Sequence, residues 1–272
     1  VAYETFSGSF DYTAARSGSS LLRLGLQLQQ DKAGDGGLEW LQAGLTAAVG
    51  QQISAEHRLG AGFGISLIQR RVETGNLTFQ NQWGGDSFDP SLPSKESFPA
   101  ASGISPSVSA GLFWLYRAET GRNSAMAGAG LSHINRPDIG FEPGDNRLPA
   151  RTSLYLHSVI QVGEMDDAVL FGAWQQMAAA REVLMGAGYR RILTTGTANH
   201  TAVQLAVAHR INDALIPSIQ VDRNNWTLGI SYDFNISPFN TATSGRGGME
   251  IALVWNRIPV PLVNGTRTCP VF

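Results

Sequence analysis

The side chains best suited to chemistry in this sequence are its histidines, and their spacing does not build a recognisable active site. None forms the i, i+4 pair of a helical zinc site or a set of two histidines and one carboxylate. A hydrolase would need a serine or aspartate beside a histidine at one rim, and only Ser132, His133 and Asn135 offer that combination. We favour the alternative that His133 and Asn135 hold the loop that follows them. The five histidines are His57, His133, His157, His200 and His209.

Acidic side chains form a second candidate group, because carboxylate oxygens are the ligands that calcium prefers. They do not have EF-hand spacing, so a solvated acidic rim is the preferred interpretation. Three arginines nearby are interpreted as ion-pair partners that pin two loops together, rather than as an anion site. The acidic residues are Asp86, Asp89, Asp138, Glu142 and Asp145, and the arginines are Arg136, Arg147 and Arg151. The sequence therefore predicts no catalytic residue, no enzymatic activity, no metal and no cofactor.

A single cysteine and a nearly balanced charge exclude further classes of protein. Cys269 cannot form an internal disulfide or a multi-cysteine metal site, and its role is left open. The net charge is −2 with scattered basic residues, which gives no footprint for nucleic acid. No apolar run approaches the roughly 18 residues of a membrane helix. If the chain crosses a bilayer, it must do so with strands.

The dominant period along the chain is two residues. In the segment 225–237, Trp226, Leu228 and Ile230 alternate with polar or small neighbours, which indicates a strand with one apolar and one polar face. The same pattern predicts strands of membrane-spanning length. Only 177–185 could be helical by propensity. The thirteen predicted strands are 3–14, 20–30, 38–51, 57–71, 104–117, 123–134, 150–163, 168–178, 182–193, 200–211, 213–222, 225–236 and 247–257.

The placement of charges decides between a soluble sandwich and a membrane barrel. Charged residues fall in the register of the small and polar residues, and an arginine or lysine facing lipid at mid-membrane would cost about 2–4 kcal/mol. Large aliphatic residues fill the other register, with aromatic residues towards strand ends, where the girdle of a membrane barrel lies. The charged residues are Arg23, Arg210, Asp233 and Glu250, and the aromatic residues are Trp114, Tyr116, Trp226, Tyr232 and Trp255.

The lengths of the connections support the same fold. Long connections alternate with short ones, as in bacterial outer-membrane barrels. The prediction is an all-β fold, a transmembrane antiparallel up-and-down β-barrel formed by residues 1–272 as a single domain. About thirteen strands are an odd number, so one further N-terminal strand is expected, giving about fourteen. The long extracellular loops are expected near 72–103, 135–149 and 237–246.

Several loop segments together resemble the PorP/SprF family of type IX secretion and gliding components. The segment 79–96 (FQNQWGGDSFDPSLPSKE) is similar to that family's "NQW…FDP.LPS.E" stretch, and 133–137 (HINRP) with 145–151 (DNRLPAR) is similar to its "HLNRP…LP.R" pair. Shorter matches follow in order at 31–34, 213–217, 229–237 and 269–272. A further N-terminal segment usual in the family is absent here, and Gly84–Gly85 and the loop 237–248 are less typical.

The resemblance implies a non-enzymatic barrel of the outer membrane with its loops at the cell surface. It would assist secretion and surface attachment of a large adhesin or other cargo, with the cargo's C-terminal domain, translocon or motor subunits and outer-membrane lipid as partners. The alternatives are a small-molecule channel and an outer-membrane hydrolase. Loop residues expected to bind a partner are Asn81, Gln82, Trp83, Phe88, Asp89, Pro90, Asn135, Arg136, Pro137 and Arg147. The alternative for Trp83 and Phe88 is that they fold inward and cover the mouth of the barrel. Expected structural pins of the loops are His133, Asp145 and Arg151.

Overall fold

Within the residues that the structure describes, the chain folds as thirteen antiparallel β-strands that follow one another in sequence order within one sheet. The computed structural model describes residues 3–34, 37–72, 77–95, 102–141, 146–195, 200–238 and 246–256. The predicted all-β, antiparallel up-and-down fold class is confirmed. The strands are β1 Tyr3–Ser17, β2 Ser20–Ala33, β3 Leu38–Gln52, β4 His57–Arg71, β5 Ser102–Arg117, β6 Ser124–Ser132, β7 Arg151–Gln161, β8 Asp166–Met177, β9 Ala180–Thr195, β10 His200–Arg210, β11 Ala214–Arg223, β12 Trp226–Asn235 and β13 Arg246–Trp255.

Each of the thirteen predicted strands is present, with ends that differ from prediction by at most three residues. The stretch 177–185, which could have been helical by propensity, consists of the end of β8, a tight turn at 178–179 and the start of β9. Helix in the described ranges is a single 3₁₀ turn at Gln80–Gln82. No helix there has the length and apolarity needed to cross a membrane.

The connections divide into two sets, which we name by their position in the meander. The turn side comprises the connections after odd-numbered strands, and all of them are short. The loop side comprises the connections after even-numbered strands and includes the long segments 72–101 and 133–150. It also includes two tight connections, at 178–179 and 211–213. The predicted alternation of long and short connections did not account for these two.

Contacts divide the chain into two compact units, of which unit 1 comprises residues 1–159 and 171–184. One face of its sheet carries aliphatic and aromatic side chains in register, and we call it the apolar face. Phe10, Leu26, Leu45, Ile65 and Val108 form one row of that face across five neighbouring strands. The first four are largely exposed. The predicted alternation is therefore present, with the bulky side chains facing away from the protein.

The opposite, polar face of unit 1 is lined by small and hydrogen-bonding side chains. Ser9, Gln27, Gly44, Ser66 and Ser107 form a row in register on that face. A Cβ on Gly44 would lie 2.9 Å from the Ser66 Cβ atom and 3.0 Å from the Gln27 Nε2 atom. Glycine is needed there because the neighbouring side chains lean over its backbone.

The apolar face of unit 1 is bounded at both ends of the strands. At the loop side, Glu4, Lys32, Glu39 and Arg71 lie in register with alternating charge. At the turn side, His57 stacks on Trp114 with ring centroids 5.8 Å apart, and Tyr116 lies beside both rings.

The distance between these two boundaries fits the core of a bilayer. The segment Glu39–Gln51 of β3 runs from the charged row to Gln51, which lies opposite Ser20 at the turn side. At about 3.3 Å per residue it measures about 40 Å along the strand, or about 30 Å across a bilayer at a tilt of about 40°. The hydrocarbon core of a bilayer is about 30 Å thick, so the apolar face has the height of a membrane-spanning surface.

Unit 2, residues 160–170 and 185–272, has the same two faces. Leu205, Ile219, Ile230 and Ile251 form a row of exposed side chains on its apolar face. At the turn-side ends of β12 and β13, Trp226 and Trp255 pack with ring centroids 6.3 Å apart. These tryptophans are at strand ends, as the sequence predicts for girdle residues.

Several charged residues on the polar face of unit 2 form ion pairs. Arg190 lies 2.8 Å from the Asp222 carboxylate, and Arg210 contacts both Asp213 and Asp233. An ion pair is less costly on a polar wall than a single charge, because each partner replaces part of the other's hydration. Arg210 and Asp233 therefore lie on the polar face, as predicted.

One ion pair in unit 2 lies on the apolar face. Arg191, which breaks the alternation, reaches the Asp166 carboxylate at 2.6 Å, and Tyr189 donates a hydrogen bond to the same carboxylate. All three residues lie towards the turn-side ends of β8 and β9. At that level the Arg191 guanidinium can reach the interfacial region of a membrane.

Candidate functional site

The segment 77–95 of the long β4–β5 connection folds as a small hairpin of its own. Its first arm contains the 3₁₀ turn, and the Gln82 side chain accepts a hydrogen bond from the Phe79 backbone N–H at 2.9 Å. The Gln82 amide also donates to the Leu92 carbonyl at 3.2 Å, and the Asn81 amide donates to the Ser94 carbonyl at 3.0 Å. The side chains of Asn81 and Gln82 therefore tie the first arm to the second.

The tip of this hairpin carries two exposed aromatic side chains. We call residues 83–88 the aromatic tip. Trp83 and Phe88 are antiparallel bridge partners across the tip, and their exposed fractions are 58% and 41%. Gly84 N–H donates to the Ser87 carbonyl at 2.9 Å, and Gly85 has φ +103°, a conformation that glycine adopts without strain. The tight turn forces both rings to the end of the hairpin.

The second arm begins with a turn stabilised by Asp89. The Asp89 carboxylate accepts hydrogen bonds from the Ser91 N–H at 2.9 Å and the Ser91 hydroxyl at 2.6 Å. These bonds favour the ionised carboxylate and lower the pKa of Asp89. The exposed Pro90 fits the turn because its ring fixes φ near −65°.

The loop after β6 is attached to β5 by the side chain of Asn135. Its amide donates to the Pro106 carbonyl at 2.8 Å, and its oxygen accepts from the Val108 N–H at 3.0 Å. The Ile134 N–H donates to the Val108 carbonyl at 3.0 Å. The pairing of β5 with β6 ends at Ala110 and Leu131. Beyond that point, Asn135 supplies to β5 the donor and the acceptor that a neighbouring strand would supply.

His133 is buried in the same loop, with an exposed fraction of 5%. Its Nδ1 atom lies 2.9 Å from the hydroxyl of Ser107, and its ring meets the edge of Trp40 at 6.5 Å between centroids. Burial, followed by the nearby positive charge of Arg151, lowers the pKa of His133. The serine that pairs with His133 is Ser107 on β5, not the adjacent Ser132, and it is itself only 3% exposed. The geometry is that of a buried contact between the loop and β5.

Arg70 on β4 holds the far end of this loop. Its guanidinium donates to the Ile139 carbonyl at 3.0 Å and lies 4.7 Å from the centroid of the Phe141 ring. Ser105 on β5 also donates to the Asp138 carbonyl. The loop therefore runs from β6 past β5 to β4. Arg70, Ser105 and Ser107 could not be identified from the sequence as loop contacts, because a polar residue near a strand end has no local signature of its partner.

The remaining predicted loop residues lie along the same turn. Arg136 is exposed and has φ +47°, and its N–H donates to the His133 carbonyl at 2.9 Å. Pro137 is buried and accepts from the Leu148 N–H at 2.9 Å. Arg147 forms an isolated bridge with Asp138. Arg151 begins β7, where it pairs with Ser132.

Some predicted residues lie outside the described part of the chain, namely Glu142, Asp145 and Cys269. Within the described ranges, no cluster of three or more histidine, cysteine or acidic side chains is placed to hold a metal ion. The first loop instead exposes two aromatic rings, and in both loops amide side chains hydrogen-bond to the backbone.

Strands with an exposed apolar face and a polar, ion-paired face define a membrane protein built of β-strands, with folded loops on one side. The family model for the type IX secretion system membrane protein PorP/SprF matches residues 2–254. The chain belongs to that family, which confirms the resemblance carried by the loop motifs and makes it a membrane component of type IX secretion. None of the curated proteins compared with the chain matches it.

Proposed function

We propose that this protein is a non-enzymatic outer-membrane component that assists type IX secretion and the attachment of a large adhesin or other cargo to the cell surface. Family membership supports the secretion pathway. The observation that carries the more specific role is the aromatic tip, where Trp83 and Phe88 are exposed on a hairpin that is already folded. A preformed loop with exposed aromatic residues loses little conformational entropy when it binds a partner.

The proposed architecture is a single outer-membrane barrel formed by residues 1–272. The apolar faces would contact lipid, and the loop side would lie at the cell surface. The alternating charges of Glu4, Lys32, Glu39 and Arg71 support a membrane boundary at the loop-side end of these strands, because such residues are stable at a boundary but costly within the membrane.

The residues proposed to bind the partner have different tasks. Trp83, Phe88 and Pro90 provide contact surface, while Asn81, Gln82 and Asp89 keep the hairpin folded. In the second loop, Arg136 and Arg147 would contact the partner directly. There Asn135 and Pro137 would hold the backbone that presents these arginines. The proposed structural pins of the loop are His133, Asp145 and Arg151.

A deletion strain tests the proposal directly. In the deletion strain, at least one large secreted protein should be absent from the cell surface. Surface proteolysis of intact cells followed by mass spectrometry measures this. The full chain, purified from native outer membranes, should carry that cargo or a translocon subunit. Normal surface display in the deletion strain, with the protein recovered alone, would contradict the proposal.

A small-molecule channel is the second candidate, and the small residues on the polar face of unit 1 favour it. Gly44, Ser66 and Ser107 present little side-chain bulk there. Against it, the loop after β6 passes across β5 to Arg70 and covers part of the loop-side end of that face. Stepwise conductance of the purified protein in planar bilayers would support the channel, and its absence would leave the secretion role.

A further inference from the structure

We propose that the aromatic tip binds an arginine-bearing segment of a partner protein, with the guanidinium held between the Trp83 ring and the Asp86 carboxylate. The inference deepens the proposed function, because it names the chemistry of the partner at the same loop. Three features of the hairpin support this inference. They are the polar side chains already hydrogen-bonded within the loop, the prolines of its second arm, and the side chains that remain exposed at the tip.

The hairpin uses most of its own polar side chains internally. Asn81 and Gln82 bond to carbonyls of the second arm, and the Asp89 carboxylate bonds to Ser91. These groups are engaged before any partner arrives. The exposed surface left at the tip consists of the two rings and the side chains between them.

The second arm is also poorly suited to pairing with a partner strand. Pro90 and Pro93 lack the N–H that strand addition requires. The carbonyls of Leu92 and Ser94 already accept hydrogen bonds from the first arm. Recognition at the tip must therefore rely on side chains rather than on backbone ladder bonds.

The Trp83 side chain offers its ring face rather than its N–H. Its Nε1 atom donates to the Gly85 carbonyl at 3.2 Å, so the indole leans towards the residue that precedes Asp86. An indole face attracts cations, and the exposed Asp86 adds a carboxylate to the same tip, three residues further along the chain. Arginine fits this pair better than lysine, because its planar guanidinium can stack on a ring and bond to a carboxylate at the same time.

The charge of the loop agrees with a basic partner. Between residues 77 and 95 the sequence contains Asp86 and Asp89 against Lys95. Because Asp89 is bonded to Ser91, Asp86 is the carboxylate placed for a partner. Phe88, across the tip from Trp83, would pack against the aliphatic stem of the arginine or against an apolar residue beside it.

The experiment places a photo-crosslinking amino acid at position 88 of the full chain in living cells. Crosslinked peptides are then identified by mass spectrometry. The expected product is a protein segment with an arginine within a few residues of the crosslink. Replacement of that arginine by glutamine in the partner should lower the crosslink yield severalfold, and replacement by lysine should restore only part of it. Products that are glycan or lipid, or protein segments without an arginine, would overturn the inference.

Variants of the tip provide the second readout. Trp83→Ala should lower the crosslink yield about 2- to 5-fold, as expected from loss of an exposed cation–π contact. Asp86→Asn should lower it by up to about 5-fold, as expected for an exposed ion pair. The matched control is Ser87→Ala, which changes a tip side chain but neither the rings nor the charge, and it should retain the full yield. Equal yields for all three variants would refute the role of the tip.

The two proposals fail in different ways. If deletion of the whole protein abolishes surface display while Trp83→Ala and Asp86→Asn leave crosslinking and display unchanged, the arginine site is wrong and the secretion role stands. If deletion leaves display intact, the secretion role itself is wrong, whatever the tip binds.

Discussion

Replacing Leu45 by arginine tests whether the apolar face of unit 1 contacts lipid. Leu45 lies in the middle of β3, between Leu26 and Ile65 in register, and is 55% exposed. In water, an arginine at such an exposed position would cost almost nothing, because it would remain hydrated. In a bilayer, the same side chain would be placed in hydrocarbon.

The size of the effect follows from the depth of Leu45. It is six residues from Glu39 in the charged row and six from Gln51 at the turn side. At about 3.3 Å per residue and a tilt of about 40°, this places Leu45 about 15 Å from each boundary, at the midplane. An arginine there should lower the free energy of unfolding by about 2–4 kcal/mol, whereas Gln51→Arg, near the boundary, should cost about 0–1 kcal/mol.

The assay is reversible urea unfolding of the full chain in lipid vesicles, followed by tryptophan fluorescence. Leu45→Ala serves as the reference, because it removes the leucine without adding a charge. The reasoning is refuted if Leu45→Arg is no more destabilising than Gln51→Arg, within roughly 0.5 kcal/mol. It is supported if the cost falls steadily from the middle of β3 towards either end.

Three further predictions concern the loops. Asn135→Ala removes two hydrogen bonds to β5 and should lower the protection of the Val108 amide in hydrogen exchange by about 1–3 kcal/mol. Gln82→Ala should speed proteolytic cleavage at 84–87 and leave the urea midpoint unchanged, because Gln82 bonds only within the hairpin in the described structure. Burial and the charge of Arg151 lower the pKa of folded His133, so its loop should be fully anchored above about pH 6.5 and loosen as the pH falls through the folded pKa. Hydrogen exchange of 134–141 measures this, and a pH-independent result, or an equal response in His133→Gln, would contradict it.

Alternation along the chain was enough to predict the strands and their two faces. In β12, Trp226, Leu228 and Ile230 fall on one face because successive side chains of a strand point to opposite sides, a rule that depends only on the local backbone. The lengths of the strands and the register of Arg210 and Asp233 follow from the same rule. The loop motifs identified the family for a similar reason, since they are contiguous stretches of sequence.

The contacts that hold the second loop could not be read from the sequence. His133 pairs with Ser107, 26 positions earlier, and Ile139 with Arg70, 69 positions earlier. Which residues of β4 and β5 lie beside the loop depends on the registers of β4 with β5 and of β5 with β6. A shift of either strand by two residues would keep every side chain on its predicted face but separate these partners.

For the hairpin of 77–95, too, the sequence predicted one part of the structure and the tertiary contacts decided the other. Its sequence indicated that Trp83 and Phe88 lie in a loop, but left open whether they face solvent or fold inward. That choice was decided by the Asn81 and Gln82 amides, which close the hairpin on itself and leave both rings at its end. The sequence by itself thus determined the strands, their faces and the family, because each depends on neighbouring residues. Only the tertiary structure decided which side chains anchor the loops, because hydrogen bonds between distant segments form only when the strand registers are fixed.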